Sequence, residues 1–237
     1  MGNVVTAAGD NLTVPSVQQD FVEWRQGRRH FAVWAIDLDV PVLREACENL
    51  QSTLVDLWLP GYCRQPHLTV HLCGFPVPMR QLADDYGLAE LLAQQQSLQR
   101  VKQPPFGLEI GLPESFSSAA YFSVRDLDGG LAALRHLLAA AGTGFDDGDF
   151  TPHLTVGLYR DCLPMDAVVT RLREANRLPP FFLTVHQLAL MVYEAAVVGG
   201  PLVTLGKFDL TAGSFEWLAP ELLRELFGKA DGMVPLA

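Results

Sequence analysis

The stretch PHLTV at residues 66–70 recurs, letter for letter, at residues 152–156, 86 positions further along the chain. The match extends without a gap from "PHLTVHLCGFPVPM" at Pro66 to "PHLTVGLYRDCLPM" at Pro152, with Pro, His, Leu, Thr, Val, a second Leu and a Pro-Met pair in common. Self-similarity at a fixed spacing indicates an internal repeat. We therefore predict that the chain contains two copies of one structural unit.

The predicted secondary structure follows the same repeat, because β-branched and aromatic runs alternate with apolar spacings typical of helices. The first copy reads as strand 30–38, helix 40–54, the motif strand, helix 78–98 and strand 106–112. The second reads as strand 119–125, helix 127–142, the motif strand, helix 164–177 and strand 181–193, followed by a strand at 202–210 and a helix near 218–228.

We predict an α+β fold in which two duplicated β-α-β-α-β lobes, related by pseudo-two-fold symmetry, surround a central cleft. The whole chain, 1–237, forms one bilobal domain, with the repeats at about 30–112 and 118–210. Residues 1–27 are interpreted as a flexible leader, and residues 211–237 as a C-terminal extension.

Each motif presents a histidine and a threonine on one face of its strand, because successive side chains of a strand point to opposite sides. His67 and Thr69 share a face in the first copy, as do His153 and Thr155 in the second. Residues two apart on a strand are separated by roughly 7 Å. Both side chains of a pair can therefore contact one phosphate group lying over the strand.

This pairing suits the cleavage of a phosphodiester without a metal ion. Histidine titrates near neutral pH, so one imidazole can take a proton from water or a hydroxyl while the other protonates the departing oxygen. Threonine hydroxyls can donate to the non-bridging oxygens, whose charge is concentrated in the transition state. The two histidines are nearly interchangeable by symmetry; we favour His153 as base and His67 as acid.

Two intact His-x-Thr motifs, His67-Leu68-Thr69 and His153-Leu154-Thr155, in a duplicated chain resemble the 2H phosphoesterase superfamily. That superfamily includes the bacterial RNA 2′,3′-cyclic phosphodiesterases, also called 2′-5′ RNA ligases. The resemblance covers roughly residues 30–210. It implies a metal-independent hydrolase that opens a cyclic phosphate or cleaves a 2′-5′ or 3′-5′ linkage in a small nucleotide, short oligonucleotide or RNA end.

Four further residues are candidates for substrate binding. His71 and Tyr159 lie on the motif faces if the alternation continues; His71 is either a substrate contact or a bystander, and Tyr159 either stacks on a base or fills the lobe. Arg64 and Arg160 flank the motifs and either neutralise substrate phosphates or are solvated strand-end arginines. The acidic stretch 142–150 lacks the ligand spacing of a calcium loop, and we predict neither a metal nor a cofactor.

The amino-acid composition restricts the classes of molecule that the protein is expected to bind. The formal net charge of −10 disfavours a long duplex nucleic acid, which a broad basic surface would bind, and agrees better with a small nucleotide, cyclic oligonucleotide or RNA end. No apolar run approaches the roughly 18 residues of a membrane span, the N-terminus does not resemble a secretion signal, and four cysteines stand without a C-x-x-C pair. We expect a cytoplasmic monomer that does not bind membranes.

Two other functions stay open. A nucleotide-binding or RNA-end-binding protein of the same fold would keep the motifs without turnover, although binding alone does not need two proton-transfer groups. A metallohydrolase built on scattered His and Asp residues would lose activity to a chelator. Within the enzyme class, RNA 2′,3′-cyclic phosphate ends, 2′-5′ oligonucleotides, cyclic dinucleotides or oligonucleotides and ADP-ribose cyclic phosphate remain alternatives.

Overall fold

The fold is that of a computed structural model, which describes residues 11–142 and 150–228. The described helices are α1 Val22–Arg25, α2 Pro41–Thr53, α3 Leu88–Val101, α4 Gly130–Ala141, α5 Met165–Ala175 and α6 Pro220–Phe227. The described strands are β1 His30–Asp37, β2 His67–Pro76, β3 Asp85–Tyr86, β4 Phe106–Ser115, β5 Ala119–Asp126, β6 His153–Leu158, β7 Phe181–Val185, β8 Gln187–Glu194, β9 Val203–Asp209 and β10 Ser214–Trp217.

These elements form the predicted α+β fold with two duplicated lobes. One sheet has the strand order β10-β9-β8-β1-β2-β3 and the other β6-β5-β4-β7. The motif strands β2 and β6 each pair antiparallel with the first strand of their own repeat, β1 and β5. No helix in the described ranges is both long and apolar enough to cross a membrane.

The two sheets do not follow the boundaries of the repeats. β4 ends the first repeat but pairs with β5 in the second sheet, and β8 lies near the end of the second repeat but pairs with β1 in the first sheet. The single strand predicted at 181–193 is therefore interrupted at His186, where the chain passes from one sheet to the other. Each lobe is completed by a strand from the other copy.

Both motif strands carry a β-bulge at the same repeat position. Trp34 pairs with His71 and Ala35 with Thr69, which leaves Val70 as the extra residue of β2. In β6 the same irregularity leaves Val156 without a partner residue on β5. A bulge reverses the alternation of side chains beyond it, so the faces predicted for the residues after each motif are wrong.

Side chains satisfy the carbonyl groups of both bulged residues. Arg135 of α4 donates from Nη1 to the Val70 carbonyl at 2.7 Å, and Gln51 of α2 donates from Nε2 to the Val156 carbonyl at 2.7 Å. A buried backbone carbonyl without a partner is costly. Helix α4 of the second repeat therefore stabilises the motif strand β2 of the first repeat, and helix α2 of the first repeat stabilises the motif strand β6 of the second.

The first sheet buries both faces. Ala32, Trp34 and Ile36 of β1 pack into the large core shared by the two lobes, while the alternate residues Phe31 and Val33 pack into a smaller apolar cluster on the opposite face. Burial on two sides explains why β1 is apolar along almost its whole length.

The segment that precedes β1 is not a flexible leader in its described part. Thr13 is 1% exposed; its hydroxyl donates to the Asp161 carbonyl at 2.7 Å and accepts from the Leu163 amide at 2.9 Å. Further along, the Gln18 amide contacts the first lobe. We call residues 11–20 the N-terminal strap, since it bonds to both lobes. The rest of the leader, residues 1–10, lies outside the described residues.

The helix predicted at 78–98 begins only at Leu88. The nearly buried carboxylate of Asp85 accepts the amides of Gln81 and Leu82, each at 2.8 Å, and holds this stretch as a turn. Arg28 donates to the same carboxylate at 2.6 Å. The C-terminal extension is described only as far as Gly228, and most of the acidic stretch, 143–149, lies outside the described residues.

Candidate active site

The two motifs meet at one cavity of about 180 Å³ between the sheets. The histidine cavity, as we call it, is lined by Tyr62, Arg64, His67, Thr69, His153, Thr155, Leu158 and Gly199. His67 and Thr69 come from β2 of the six-stranded sheet, and His153 and Thr155 from β6 of the four-stranded sheet. The His-Thr pairs predicted from the sequence are thus brought together from different sheets.

Both imidazoles are oriented by the same kind of contact. Nδ1 of His67 donates to the Gln65 carbonyl at 2.8 Å, and Nδ1 of His153 donates to the Thr151 carbonyl at 2.7 Å. A carbonyl oxygen can only accept, so Nδ1 carries the proton in the neutral ring. In each histidine, Nε2 is left as the nitrogen that can exchange a proton with a substrate.

The two histidines differ in their electrostatic surroundings. Burial is the main cause that lowers the pKa of His67 to about 4; the charges of Arg64 and His153 act in the same direction, and the hydrogen bond to Gln65 opposes them. Burial also lowers the pKa of His153, against its hydrogen bond to Thr151. Both rings are therefore neutral in the free protein at pH 7.

The segment before the first motif is fixed to the loop at residues 199–202. Nε of Arg64 donates to the Gly200 carbonyl at 3.0 Å, and its guanidinium lies 4.2 Å from the ring centre of Tyr193. The Gln65 side chain donates to the Leu202 carbonyl at 3.0 Å and accepts from the Leu202 amide at 2.8 Å. Gln65 is thereby held in the position from which its own carbonyl orients His67.

Three lining residues were not predicted from the sequence: Tyr62, Leu158 and Gly199. Leu158 reaches the cavity because the bulge at Val156 reverses the alternation of β6. Gly199 has a φ of +69° and lies so near Tyr62 that a Cβ there would be 2.5 Å from Cδ2 of that ring. The contact between Tyr62 and Gly199 joins two loops that are distant in sequence, so the spacing of residues within the motifs could not predict it.

Three of the predicted substrate-binding residues do not line the histidine cavity. His71 is only 4% exposed, since it follows the bulge at Val70. Tyr159 is fully buried in the large core, with its hydroxyl 2.6 Å from that of Ser115. Arg160 lies at a neighbouring cavity and pairs with Asp161 at 3.2 Å. Of these candidates, Arg64 alone lines the histidine cavity.

Two further cavities adjoin the first. A side cavity of about 220 Å³ shares Tyr62, Arg64 and Thr155 with the histidine cavity and extends along α2. A second one, of about 310 Å³, shares only Tyr62 with the histidine cavity and contains Arg160. In the described part of the chain, no three His, Cys, Asp or Glu side chains cluster closely enough to hold a metal ion.

Comparison with known protein families identifies one family whose model matches this chain. The model of the 2′-5′ RNA ligase superfamily matches residues 60–196, more than half of the chain and a range that contains both motifs. No curated protein sequence matches at a significant level.

Among solved structures, E. coli LigT in its apo form is 20% identical, with a TM-score of 0.49, and the match covers 77% of this chain and 98% of LigT. E. coli LigT complexed with 3′-AMP is 21% identical, with a TM-score of 0.48, over 77% of this chain and 99% of LigT. A Thermus thermophilus protein is 19% identical, with a TM-score of 0.47, over 76% of this chain and 98% of that one.

Proposed function

Because the chain belongs to the 2′-5′ RNA ligase superfamily of 2H phosphoesterases, we propose that it is a phosphodiesterase that uses His67 and His153 for acid-base catalysis without a metal ion. The substrate is a cyclic phosphate or a 2′-5′ or 3′-5′ phosphodiester in a small nucleotide, short oligonucleotide or RNA end. One observation carries this proposal: two His-Thr pairs from different sheets line a single cavity of about 180 Å³.

In the proposed reaction, one neutral imidazole accepts a proton at Nε2 from the attacking water or hydroxyl. A new P–O bond forms and the bond from phosphorus to the departing oxygen breaks. The other histidine gives its Nε2 proton to that oxygen. Thr69 and Thr155 donate their hydroxyls to the non-bridging oxygens, which carry the growing negative charge.

The surroundings of the two rings support His67 as base and His153 as acid, the reverse of the assignment favoured from the sequence. When the pair holds a single proton, we expect that proton on His153, because burial and then the charge of Arg64 lower the pKa of His67, whereas no neighbouring positive charge in the described ranges lowers that of His153. The negative charge of the bound phosphate raises the pKa of both rings, which allows one of them to be protonated near neutral pH.

Arg64 is the residue that we propose to bind the substrate phosphate. Its Nε is used by the Gly200 carbonyl, but a guanidinium has five N–H donors, so others remain for a phosphate oxygen. Thr69 and Thr155, on opposite sides of the cavity, complete a cradle for one phosphate group. We further propose a cytoplasmic monomer: all four cysteines are free thiols, and one chain supplies the whole cavity.

The test is hydrolysis in the presence of EDTA. The panel contains 2′,3′-cyclic mononucleotides, RNA ending in a cyclic phosphate, 2′-5′ oligoadenylate and cyclic dinucleotides, with products resolved by chromatography. Chelator-resistant turnover that is lost in the His67→Ala/His153→Ala double variant supports the proposal. A folded wild-type protein that turns over no member of the panel contradicts it and favours nucleotide binding without catalysis.

A further inference from the structure

The side cavity of about 220 Å³ adjoins the histidine cavity, and Tyr62, Arg64 and Thr155 line both. A ligand whose phosphate lies between the histidines therefore has this cavity within reach of its next chemical group. One wall of the side cavity is α2, which contributes Glu48 and Gln51, one helical turn apart.

Several polar groups of the side cavity are already paired or uncharged. Arg44 donates from Nε to the Asp39 carboxylate at 2.8 Å, so these two charges largely neutralise each other. Burial raises the pKa of the Cys47 thiol to about 12, so this wall residue is uncharged. Nε of Arg64 is held by the Gly200 carbonyl.

Apart from Nη1 of Arg44 and the Cys47 thiol, the groups that remain on this wall of α2 are acceptors. Because the amide of Gln51 must donate to the Val156 carbonyl, its Nε2 is fixed there and its Oε1 is left free. The carboxylate of Glu48 has no hydrogen bond or ion pair with any residue in the described ranges. Residues three apart on a helix have Cβ atoms about 5–6 Å apart, so both oxygens can serve one planar group.

The free oxygens of Glu48 and Gln51 favour a group that offers N–H donors to this side of the cavity. We propose that the side cavity holds the nucleobase next to the reacting phosphate, and that Glu48 with Gln51 selects guanine. This inference rests on the proposed function of the histidine cavity.

The preference for guanine follows from the edges of the bases. Guanine offers two adjacent donors, N1–H and the N2 amine, which a carboxylate can accept with both oxygens. Adenine and cytosine each place a ring-nitrogen acceptor beside their amine, so the Glu48 carboxylate meets a lone pair. The unfavourable contact between the Glu48 carboxylate and this ring nitrogen should lower the affinity for adenine or cytosine about tenfold or more relative to guanine.

The experiment compares kcat/KM for the 2′,3′-cyclic phosphates of guanosine, inosine, adenosine and cytidine. We expect guanosine to exceed adenosine and cytidine by about tenfold or more, with inosine, which lacks the N2 amine, in between. Glu48→Gln brings the ratio of guanosine to adenosine close to one. Glu45→Gln is the matched control: Glu45 is exposed on the same helix, does not line the cavity, and should leave the ratio unchanged.

A ratio near one in the wild-type protein, or a preference that Glu48→Gln does not change, overturns the inference while leaving the proposed function intact. If none of the four cyclic nucleotides is hydrolysed, calorimetric binding of guanosine and adenosine 3′-monophosphates decides; the proposed function itself fails only if the whole panel described above is also left intact. Tighter binding of the guanosine compound that is lost in Glu48→Gln then supports the selection of guanine, and equal binding overturns it.

Discussion

His67 and His153 lie in different sheets, yet the ring of each is fixed by the same contact, a hydrogen bond from Nδ1 to the carbonyl two residues earlier. The duplication has preserved this detail as well as the motif itself. What differs is the environment: burial is the main cause of the lowered pKa of His67, and the positive charge of Arg64 lowers that pKa further. Two rings with equal orientation and unequal charge surroundings can take opposite roles in proton transfer.

Replacing either histidine should remove most of the activity. We expect His67→Ala and His153→Ala each to lower kcat about 100- to 10,000-fold, the usual contribution of one acid or base. With a substrate that has an activated leaving group, His153→Ala should recover and His67→Ala should not, because a good leaving group needs no acid. His136→Ala, at an exposed position of α4, is the control. Recovery of His67→Ala alone would reverse the two roles.

The titration of His67 can be measured directly. Its imidazole signal in NMR should show a midpoint near pH 4, and the acid limb of kcat/KM should fall in the same region, because a base must be neutral to act. Removing a positive neighbour stabilises the imidazolium, so Arg64→Gln and His153→Ala should each move the midpoint to higher pH. A midpoint that stays in place in both variants would disprove the electrostatic assignment.

The threonines should affect the chemical step more than binding. Thr69→Val and Thr155→Val keep the side-chain volume but remove a donor to the phosphate oxygens. Loss of one such donor typically lowers kcat about 100- to 1,000-fold. Steady-state kinetics would show whether KM changes less than kcat. A rise in KM with an unchanged kcat would mean that the hydroxyls bind the ground state only.

The N-terminal strap should influence the cavity from outside. The Gln18 amide donates to the carbonyls of Pro60 and Val198, at 3.2 and 3.1 Å, and so joins the segments that carry Tyr62 and Gly199. We expect Gln18→Ala to raise KM about threefold, the value of a weak hydrogen bond, with little change in kcat.

The matched control for the strap is Gln103→Ala, because the exposed amide of Gln103 contacts only the carbonyl of the next residue. It should leave KM unchanged. An equal effect of the two variants would show that the contacts of Gln18 do not position the cavity wall.

The same strap should contribute to stability through Thr13. Thr13→Val leaves the Asp161 carbonyl and the Leu163 amide without their buried partner, and should lower the free energy of unfolding by about 1–3 kcal/mol. Denaturant titration measures this difference. Thr170→Val, at an exposed position of α5, should change it by less than about 0.5 kcal/mol. Equal values for the two variants would mean that the strap detaches before the fold melts.

The repeated motif was enough to predict the α+β fold, the duplication and the four residues that meet in the cavity. The side-chain directions predicted from alternation along a strand were wrong where the strand is irregular. Val70 and Val156 are bulged, so His71 and Tyr159 point away from the cavity. Nothing in a single sequence marks a bulge, since Val fits a regular strand equally well. Leu158 was missed for the same reason.

The passage of the chain from one sheet to the other also could not be predicted from the residues around it. The run at 181–193 is continuous in hydrophobicity, and only the pairing of its two halves with different partners requires a break at His186. The strap was misinterpreted partly because several of its bonds are made by backbone groups, as in the donation from the Ser16 amide to the Tyr159 carbonyl at 2.7 Å. Such contacts depend on tertiary structure and not on residue type.

The exchange of β4 and β8 between the sheets means that the two halves of this protein are no longer separable units. A fragment that ends after α3 would lack β8, the strand that pairs with the outer side of β1. The complementary fragment would have β8, β9 and β10 but would lack β1, β2 and β3, the other half of the first sheet. We expect neither half to fold when expressed alone, whereas the two fragments mixed together should reassemble, because each supplies the strands of the first sheet that the other lacks.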